Sequence, residues 1–160
     1  MTSSTEAAAS APAPAAAPSP TATVVDGELK TAAEVVFEVR PLSGPGTMGP
    51  TALSTKSDPS LEEVRAYLTA HPDAGPLRIE CAINPERMSS SPDAKWPASL
   101  ALQIANWLVE RGIDCKRLEA AGRLDSELNG QERVRFFVNR DGRDRPPNRV
   151  ARLSVCPALR

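Results

Sequence analysis

The sequence has few of the residues that usually carry catalysis or metal binding. It contains one histidine, three cysteines and six aromatic side chains (three Phe, two Trp, one Tyr) in 160 residues. A single histidine excludes a histidine-rich metal site, and Cys81, Cys115 and Cys156 lack the paired short spacings of zinc ligands. His71 lies at a predicted helix end, where capping or solvent exposure is commoner than catalysis. We therefore predict a protein that is not an enzyme and that holds no metal or cofactor.

Long apolar runs and an excess of one charge are also lacking. No segment reaches the length needed to cross a bilayer, and the first residues lack the basic and apolar regions of a signal peptide. Two alternatives follow: a cytoplasmic protein, or a chain that begins after a removed signal or lipid anchor. The net charge of −1 gives no bias toward nucleic acid, which we predict not to be a partner. Eight arginines after residue 130 offer an anion site, but a solvated strand face is the favoured interpretation.

Large apolar residues are absent between Met1 and Val24, where Glu6 is the only charge. Nearly all of this segment is Ala, Pro, Ser and Thr, which cannot bury enough surface to offset the entropy lost on ordering. We predict a disordered tether over residues 1–24, a folded domain over 25–156 and a short tail over 157–160.

The folded part alternates strand and helix patterns. Strands are predicted over residues 32–40, 77–83, 117–122, 131–139 and 148–155, with loops over 41–55 and 84–97. One helix begins after an N-cap at Asp58 and stops at His71, and a second covers 98–110. Two β-α-β crossovers require parallel strand pairs with the helices packed on the sheet. The predicted fold class is α+β, a β-α-β-α-β-β mixed sheet with helices on one face and an extra C-terminal strand.

The three cysteines allow either one disulfide and one buried thiol or three free thiols. Cys81 falls within the apolar pattern of residues 77–83. In an oxidising compartment the predicted pair is therefore Cys115 with Cys156.

Several local patterns, taken in order, resemble one family. They are Val36-Phe37-Glu38, the helix stripe Leu61, Val64 and Leu68 with Pro72, the segment LRIECAIN at 77–84, IANWLVERGI at 104–113 and RLEAAG at 117–122. Over about residues 25–138 they resemble the OmpA C-terminal domain, the peptidoglycan-associated module also found in the Pal lipoprotein and flagellar motor stators. Residues 131–136 are favoured over 142–150 as that family's closing strand. The resemblance implies an OmpA-like sandwich in the periplasm or cell envelope, associated with the outer membrane.

The same resemblance implies a ligand site whose charges are lost here. In the family an Asp after the second strand and an Arg in the second helix hold the diaminopimelate of peptidoglycan as an ion pair. Those positions fall on Asn84 and Leu100, which are uncharged. Each lost charge partner costs about 2–5 kcal/mol, so peptidoglycan binding is expected to be weak or absent. Arg87, Lys95 and Arg133 are accessory candidates near the site.

The second predicted helix is apolar on nearly every side, since Gln103 and Asn106 are the only polar residues between Leu100 and Val109. Such a helix is buried on more than one face. We predict an interface with another envelope protein or with a second copy around Trp96, Leu100 and Leu102, and coverage by the chain itself is the alternative. The predicted function is a structural or protein-interaction domain of the cell envelope. The alternative is a peptidoglycan-binding module that anchors the envelope to the wall.

Overall fold

The computed structural model describes residues 22–41, 48–87, 93–129, 132–138 and 150–157. Of the predicted tether, residues 1–24, the structure describes only 22–24, and the first strand already begins at Thr23. Disorder over the tether and the nature of the final tail therefore stay predictions.

Six strands form one mixed sheet, and two helices lie on one side of it. The strands are β1 (Thr23–Val25), β2 (Glu28–Lys30), β5 (Leu77–Ile83), β6 (Leu118–Leu124), β7 (Arg133–Val138) and β8 (Val150–Leu153). The helices are α1 (Asp58–Ala70) and α2 (Lys95–Glu110). Strands β3 (Phe37–Pro41) and β4 (Met48–Leu53) pair with each other in a separate sheet. The order in the main sheet is β1-β2-β7-β5-β6-β8, so the predicted α+β class is confirmed at this level.

Strand β5 lies near the middle of the sheet and has the predicted limits. All seven of its residues are buried, as expected for a strand with a neighbour on each side and helices above it. It runs parallel to β6, with Leu77 opposite Leu118, and antiparallel to β7, with Leu77 opposite Val138. The β5–α2–β6 unit is the parallel crossover that the alternation of elements predicted.

The core lies between the helices and this sheet. The α1 stripe of Leu61, Val64 and Leu68 is fully buried, as predicted from its spacing. The side chains of α2 that face the sheet are also at most 1% exposed; they are Leu100, Ile104 and Leu108. Burying each leucine or isoleucine side chain contributes about 1.5–3 kcal/mol, so these two stripes carry much of the stability of the fold.

The prediction for the first crossover is wrong. The strand expected over residues 32–40 begins only at Phe37, and it pairs with β4, which lies within the predicted loop 41–55. The main sheet instead begins with the hairpin of β1 and β2, whose strands are joined by Asp26 and Gly27, and β2 is the strand that precedes α1 in this sheet. Both turn residues have positive φ (51° and 79°), which is the conformation of a type I′ hairpin and the reason that an Asp-Gly pair suits this turn.

Both helix starts differ from the prediction. Asp58 is the first helical residue, so the N-cap position falls on Ser57 and not on Asp58. The Ser57 side chain does not cap the helix, because its hydroxyl bonds to Val36 instead. Helix α2 begins at Lys95 and not at residue 98. Pro97 therefore lies in the first turn, where its missing N–H leaves no intrahelical bond unmade.

Gly122 positions the start of α2 on β6. A Cβ at this residue would overlap the backbone nitrogen of Ala98 and the carbonyl oxygen of Ala94. The helix can therefore approach the strand this closely only where the strand has no side chain. The last strand, β8, pairs antiparallel with β6, which confirms the predicted extra C-terminal strand.

Candidate functional site

The carboxyl end of β5, where the resemblance puts a ligand site, carries Asn84. The Asn84 side chain is committed to the backbone of its surroundings. Its Oδ1 accepts from the Glu86 N–H at 2.9 Å, and its Nδ2 donates to the carbonyl oxygens of Leu128 at 3.1 Å and Ser126 at 3.4 Å. Asn84 therefore holds the turn after β6 against the end of β5 and leaves no amide group directed at a ligand.

The other predicted ligand position is inside the protein. Leu100 is 1% exposed and packs in the main core, so neither it nor a partner surface built on it can meet a ligand. Its inclusion in the predicted interface is a correction: the side chain turns toward the sheet because α2 lies directly on β5 and β6.

The remaining predicted residues are spread along α2 and the neighbouring loops. Trp96 and Lys95 are exposed in the first turn of α2, whereas Leu102 is half-buried against the main core. Arg87 ends a short turn, Pro85–Arg87, after β5. Arg133 is exposed at the first residue of β7, opposite Ala82.

A feature that sequence reasoning missed is the segment between β2 and β3, which is bound to the start of α1. The Ser57 hydroxyl accepts from Val36 N–H at 2.7 Å and donates to Val36 O at 2.9 Å. The Ser60 hydroxyl donates to Ala33 O at 2.8 Å, and Glu63 Oε2 accepts from the Ala32 N–H at 3.0 Å. Ser57 and Ser60 are fully buried, so these bonds satisfy polar groups that would otherwise be costly.

This attachment opens a groove in the sheet. Strands β2 and β7 pair only at Glu28–Phe137 and Leu29–Phe136, after which the chain leaves β7 for α1. The space between residues 31–35 and the first half of β7 has a volume of about 650 Å³, and Leu128 and Asn129 also line it. Because β7 runs antiparallel to β5, the groove opens at the edge where β5 ends, next to Asn84. We refer to it as the β2–β7 groove.

Charges of both signs line the β2–β7 groove. Arg135 donates two hydrogen bonds to the Glu28 carboxylate, from Nε to Oε1 at 3.1 Å and from Nη2 to Oε2 at 2.7 Å. Lys30 Nζ lies 2.8 Å from the same carboxylate. The Arg135 hydrogen bond, helped by Lys30, lowers the pKa of Glu28 to about 2. Arg133 is also in the lining and, among the described residues, makes no ion pair.

The sheet face away from the helices continues this charged surface. Register places Glu28, Arg135, Glu80 and Arg123 on that face of four successive strands. Glu80 is 5% exposed and lies 3.9 Å from Arg123 Nη1 and 3.4 Å from Arg78 Nη2. The predicted solvated strand face concerned the arginines after residue 130; of those that the structure describes, Arg133 and Arg152 are exposed, and Arg135 is half-buried in its pair with Glu28.

The cysteines divide as predicted for an oxidising compartment. Cys115 and Cys156 form a disulfide with a Cα–Cα distance of 5.1 Å, and Cys81 is free and buried. Burial raises the pKa of the Cys81 thiol far above its ordinary value, so this thiol is unreactive in the folded protein.

Other chemistry in the described residues is sparse. His71 Nδ1 lies 2.9 Å from Tyr67 O, and its ring stacks on the Tyr67 ring at 4.2 Å, which are helix-end contacts. The described residues contain no group of three or more His, Cys, Asp or Glu that could hold a metal ion. None of the helices in the described part of the chain is long and apolar enough to span a membrane.

Comparisons with protein-family models, with curated proteins and with solved structures find no match to this chain. The features of the molecule that bear on function are the Asn84 loop, the β2–β7 groove and the disulfide.

Proposed function

We propose that this protein is a non-enzymatic, OmpA-like domain of the cell envelope with a structural or protein-interaction role. The observation that carries the proposal is the position of the two residues that replace the family's ligand charges. Leu100 is buried in the core and Asn84 is bonded to three backbone groups, so neither is available to a diaminopimelate side chain. A module that keeps the architecture without these groups is better suited to contacts with protein.

The order of elements supports the OmpA-like part of the proposal. Elements β2, α1, β5, α2, β6 and β7 follow the expected β-α-β-α-β-β order, and the β3–β4 hairpin is then an insertion after the first strand. Strand β8 is an addition beyond β6.

The disulfide supports the envelope part. Structural disulfides persist in oxidising compartments, which include the bacterial periplasm, and are rare in the reducing cytosol. A bridge between Cys115 and Cys156 is therefore expected of a protein that works outside the cytoplasm.

The β2–β7 groove favours the alternative, a peptidoglycan-binding module. It adjoins the Asn84 loop and offers Arg133 and Glu132 to a ligand that carries both a carboxylate and an ammonium group. In this alternative the ligand would lie beside the family's usual site and would use different residues.

Co-sedimentation with purified, diaminopimelate-containing peptidoglycan separates the two roles. We expect both the wild-type protein and the Arg133→Glu variant to stay in the supernatant at physiological salt. Saturable pelleting of wild type that Arg133→Glu abolishes would overturn the proposal in favour of the alternative. Asn84→Asp tests the family position without disturbing the core, whereas a charge at Leu100 would unfold the protein and decide nothing.

A further inference from the structure

We propose that the Cys115–Cys156 disulfide is a redox switch that controls the attachment of β8 to the sheet. When the bridge is open, β8 leaves β6 while the other strands of the main sheet stay folded. This inference goes beyond the proposed envelope role and does not depend on the OmpA-like assignment. Three features support it: the shallow burial of β8, the position of the bridge at the end of this strand, and the partial exposure of both cysteines.

Strand β8 is held on the sheet by few interactions. It pairs with β6 only from Ala120–Leu153 to Arg123–Val150, and no described strand lies on its other side. None of its four residues is fully buried. Its ion pair, between Arg152 and Glu119 at 3.1 Å, is partly exposed and contributes little. Edge strands with so little burial open at a lower free energy than the core of a protein.

The bridge holds the end of β8 beside β6. Cys115 begins the short turn that leads into β6, and Cys156 follows the end of β8 by three residues. While the bridge is closed, a β8 strand that dissociates stays close to β6 and pairs with it again, because its effective concentration is high. Among residues 150–157 only Val155 is buried, so one apolar side chain and a weak ladder hold this end once the bridge is open.

Release of β8 does not require the rest of the sheet to unfold. Strand β6 pairs with β5 along its whole length, Leu118–Leu124, and this pairing does not involve β8. On release, Ala151 is withdrawn from an apolar cluster of Ile83, Ala94 and Leu124. The reduced protein therefore presents on β6 an intact strand edge, with backbone N–H and C=O groups that the oxidised protein keeps paired.

Both cysteines are accessible to a dithiol in the folded protein. Cys115 and Cys156 are only half-buried, and each has an exposed residue directly after it, Lys116 and Pro157. The thiolate of an incoming dithiol attacks one sulfur, which forms a mixed disulfide and releases the other cysteine as a thiolate that takes up a proton. The second thiol of the reagent then displaces the remaining cysteine, so the dithiol leaves as a disulfide and the protein gains two thiols.

Amide hydrogen exchange on the full chain, without denaturant and with or without dithiothreitol, measures the switch. In the oxidised protein we expect β8 to exchange at least a hundredfold more slowly than an unstructured chain. After reduction β8 should exchange within about tenfold of the unstructured rate, together with those amides of β6 that face it. Strand β5 should stay at least a hundredfold slower than β8. Maleimide labelling should show that reduction proceeds without urea, at a rate proportional to the dithiothreitol concentration.

Two variants locate the effect in the bridge. Cys115→Ser/Cys156→Ser should show fast exchange of β8 without dithiothreitol and no further change when it is added. Cys81→Ala removes the buried thiol but keeps the bridge, so its β8 strand should respond to dithiothreitol as that of wild type does.

Any of three results overturns the proposal. A β8 strand that stays as protected as β5 after reduction would show that its own pairing holds it. Simultaneous loss of protection in β5 and β8 would show that the bridge supports the whole fold. A bridge that opens only in urea would show that neither cysteine is accessible in the folded protein. None of these results requires a variant to fold, because wild type is measured in both states.

Discussion

The carboxylate of Glu28 is held by Arg135 and Lys30 at the mouth of the β2–β7 groove, and the fold depends on its ionised form. Its pKa in the folded protein, about 2, lies well below the ordinary value of 4.5. A depressed pKa means that the ion pair stabilises the folded state above pH 4.5, and that this stabilisation is lost as the pH falls toward 2.

Glu28→Gln tests this dependence. Since the neutral amide cannot form the ion pair, we expect it to lower the free energy of unfolding by about 2 kcal/mol at pH 7, with the difference vanishing near pH 2. Urea denaturation at pH 7, 4 and 2.5 measures it. Glu62→Gln, which breaks an exposed pair with Arg65, is the control and should cost no more than about 0.5 kcal/mol. A Glu28→Gln difference that does not change with pH would contradict the assignment.

Gly122 is the second residue on which the fold depends, because α2 contacts β6 at its Cα. In Gly122→Ala the new Cβ meets backbone atoms of Ala94 and Ala98, which cannot rotate away. We expect a loss of about 3 kcal/mol or more in thermal denaturation. Gly112, with φ of 97° and open space around its Cα, gives a control: Gly112→Asn should cost only about 1 kcal/mol, from its backbone conformation alone, since no neighbouring atom meets the new side chain. Equal losses in the two variants would point to a general intolerance and not to close packing.

At the scale of elements, the β3–β4 hairpin is attached to α2 through Gln103. The Gln103 side chain accepts from the Leu53 N–H at 3.0 Å through Oε1 and donates to Thr51 O at 3.1 Å through Nε2. A single amide thus satisfies a donor and an acceptor on the free edge of β4. The glutamine therefore has a structural role in a largely apolar stretch of α2.

Gln103→Leu should therefore loosen the hairpin without unfolding the main sheet. Leaving the two β4 groups without partners is expected to cost about 1–3 kcal/mol, and amide exchange should quicken in β4 while β5 stays protected. Asn106→Leu on the exposed face of the same helix is the control. Faster exchange spread evenly over β4 and β5 would show that Gln103 supports the whole core and not this attachment.

The elements also show what the sequence could reveal. Leu77–Ile83 and Asp58–Ala70 were predictable because their apolar patterns are long and are bounded by proline. Strand β4 (MGPTAL) was taken for a loop because Gly and Pro dominate its first half, and its pairing with β3 overrides that local preference. The Asp26-Gly27 hairpin carried a usable turn signal, but its strands are only three residues long.

The candidate site was less predictable than the fold. The position of the β2–β7 groove depends on Ser57 and Ser60, whose bonds to a segment more than twenty residues away leave no local pattern. Asn84 and Leu100 were placed by resemblance, and their uncharged side chains were visible in the sequence. Their commitment to the loop and the core became visible only once β5, β6 and α2 were assembled.

At the scale of the whole molecule, the disulfide fastens the edge strand β8 to the turn after α2. The bridge closes a loop of 41 residues that contains β6 and β7, so reduction frees the C-terminal edge of the sheet. Restricting a loop of this length in the unfolded chain stabilises the folded state by about 3–4 kcal/mol.

Removing the bridge should therefore lower stability by that amount. We expect the Cys115→Ser/Cys156→Ser double variant to unfold at lower urea concentration than wild type. Dithiothreitol should lower the urea midpoint of wild type to that of the variant and leave the midpoint of the variant unchanged.

Thiol labelling with a maleimide tests the same arrangement of cysteines. The native wild-type protein should take no label, because Cys81 is buried and the other two cysteines are bridged. After denaturation it should take one label, and after denaturation and reduction it should take three. Three labels on protein denatured directly from its native host, without reduction, would place the chain in a reducing compartment and remove the main support for an envelope role.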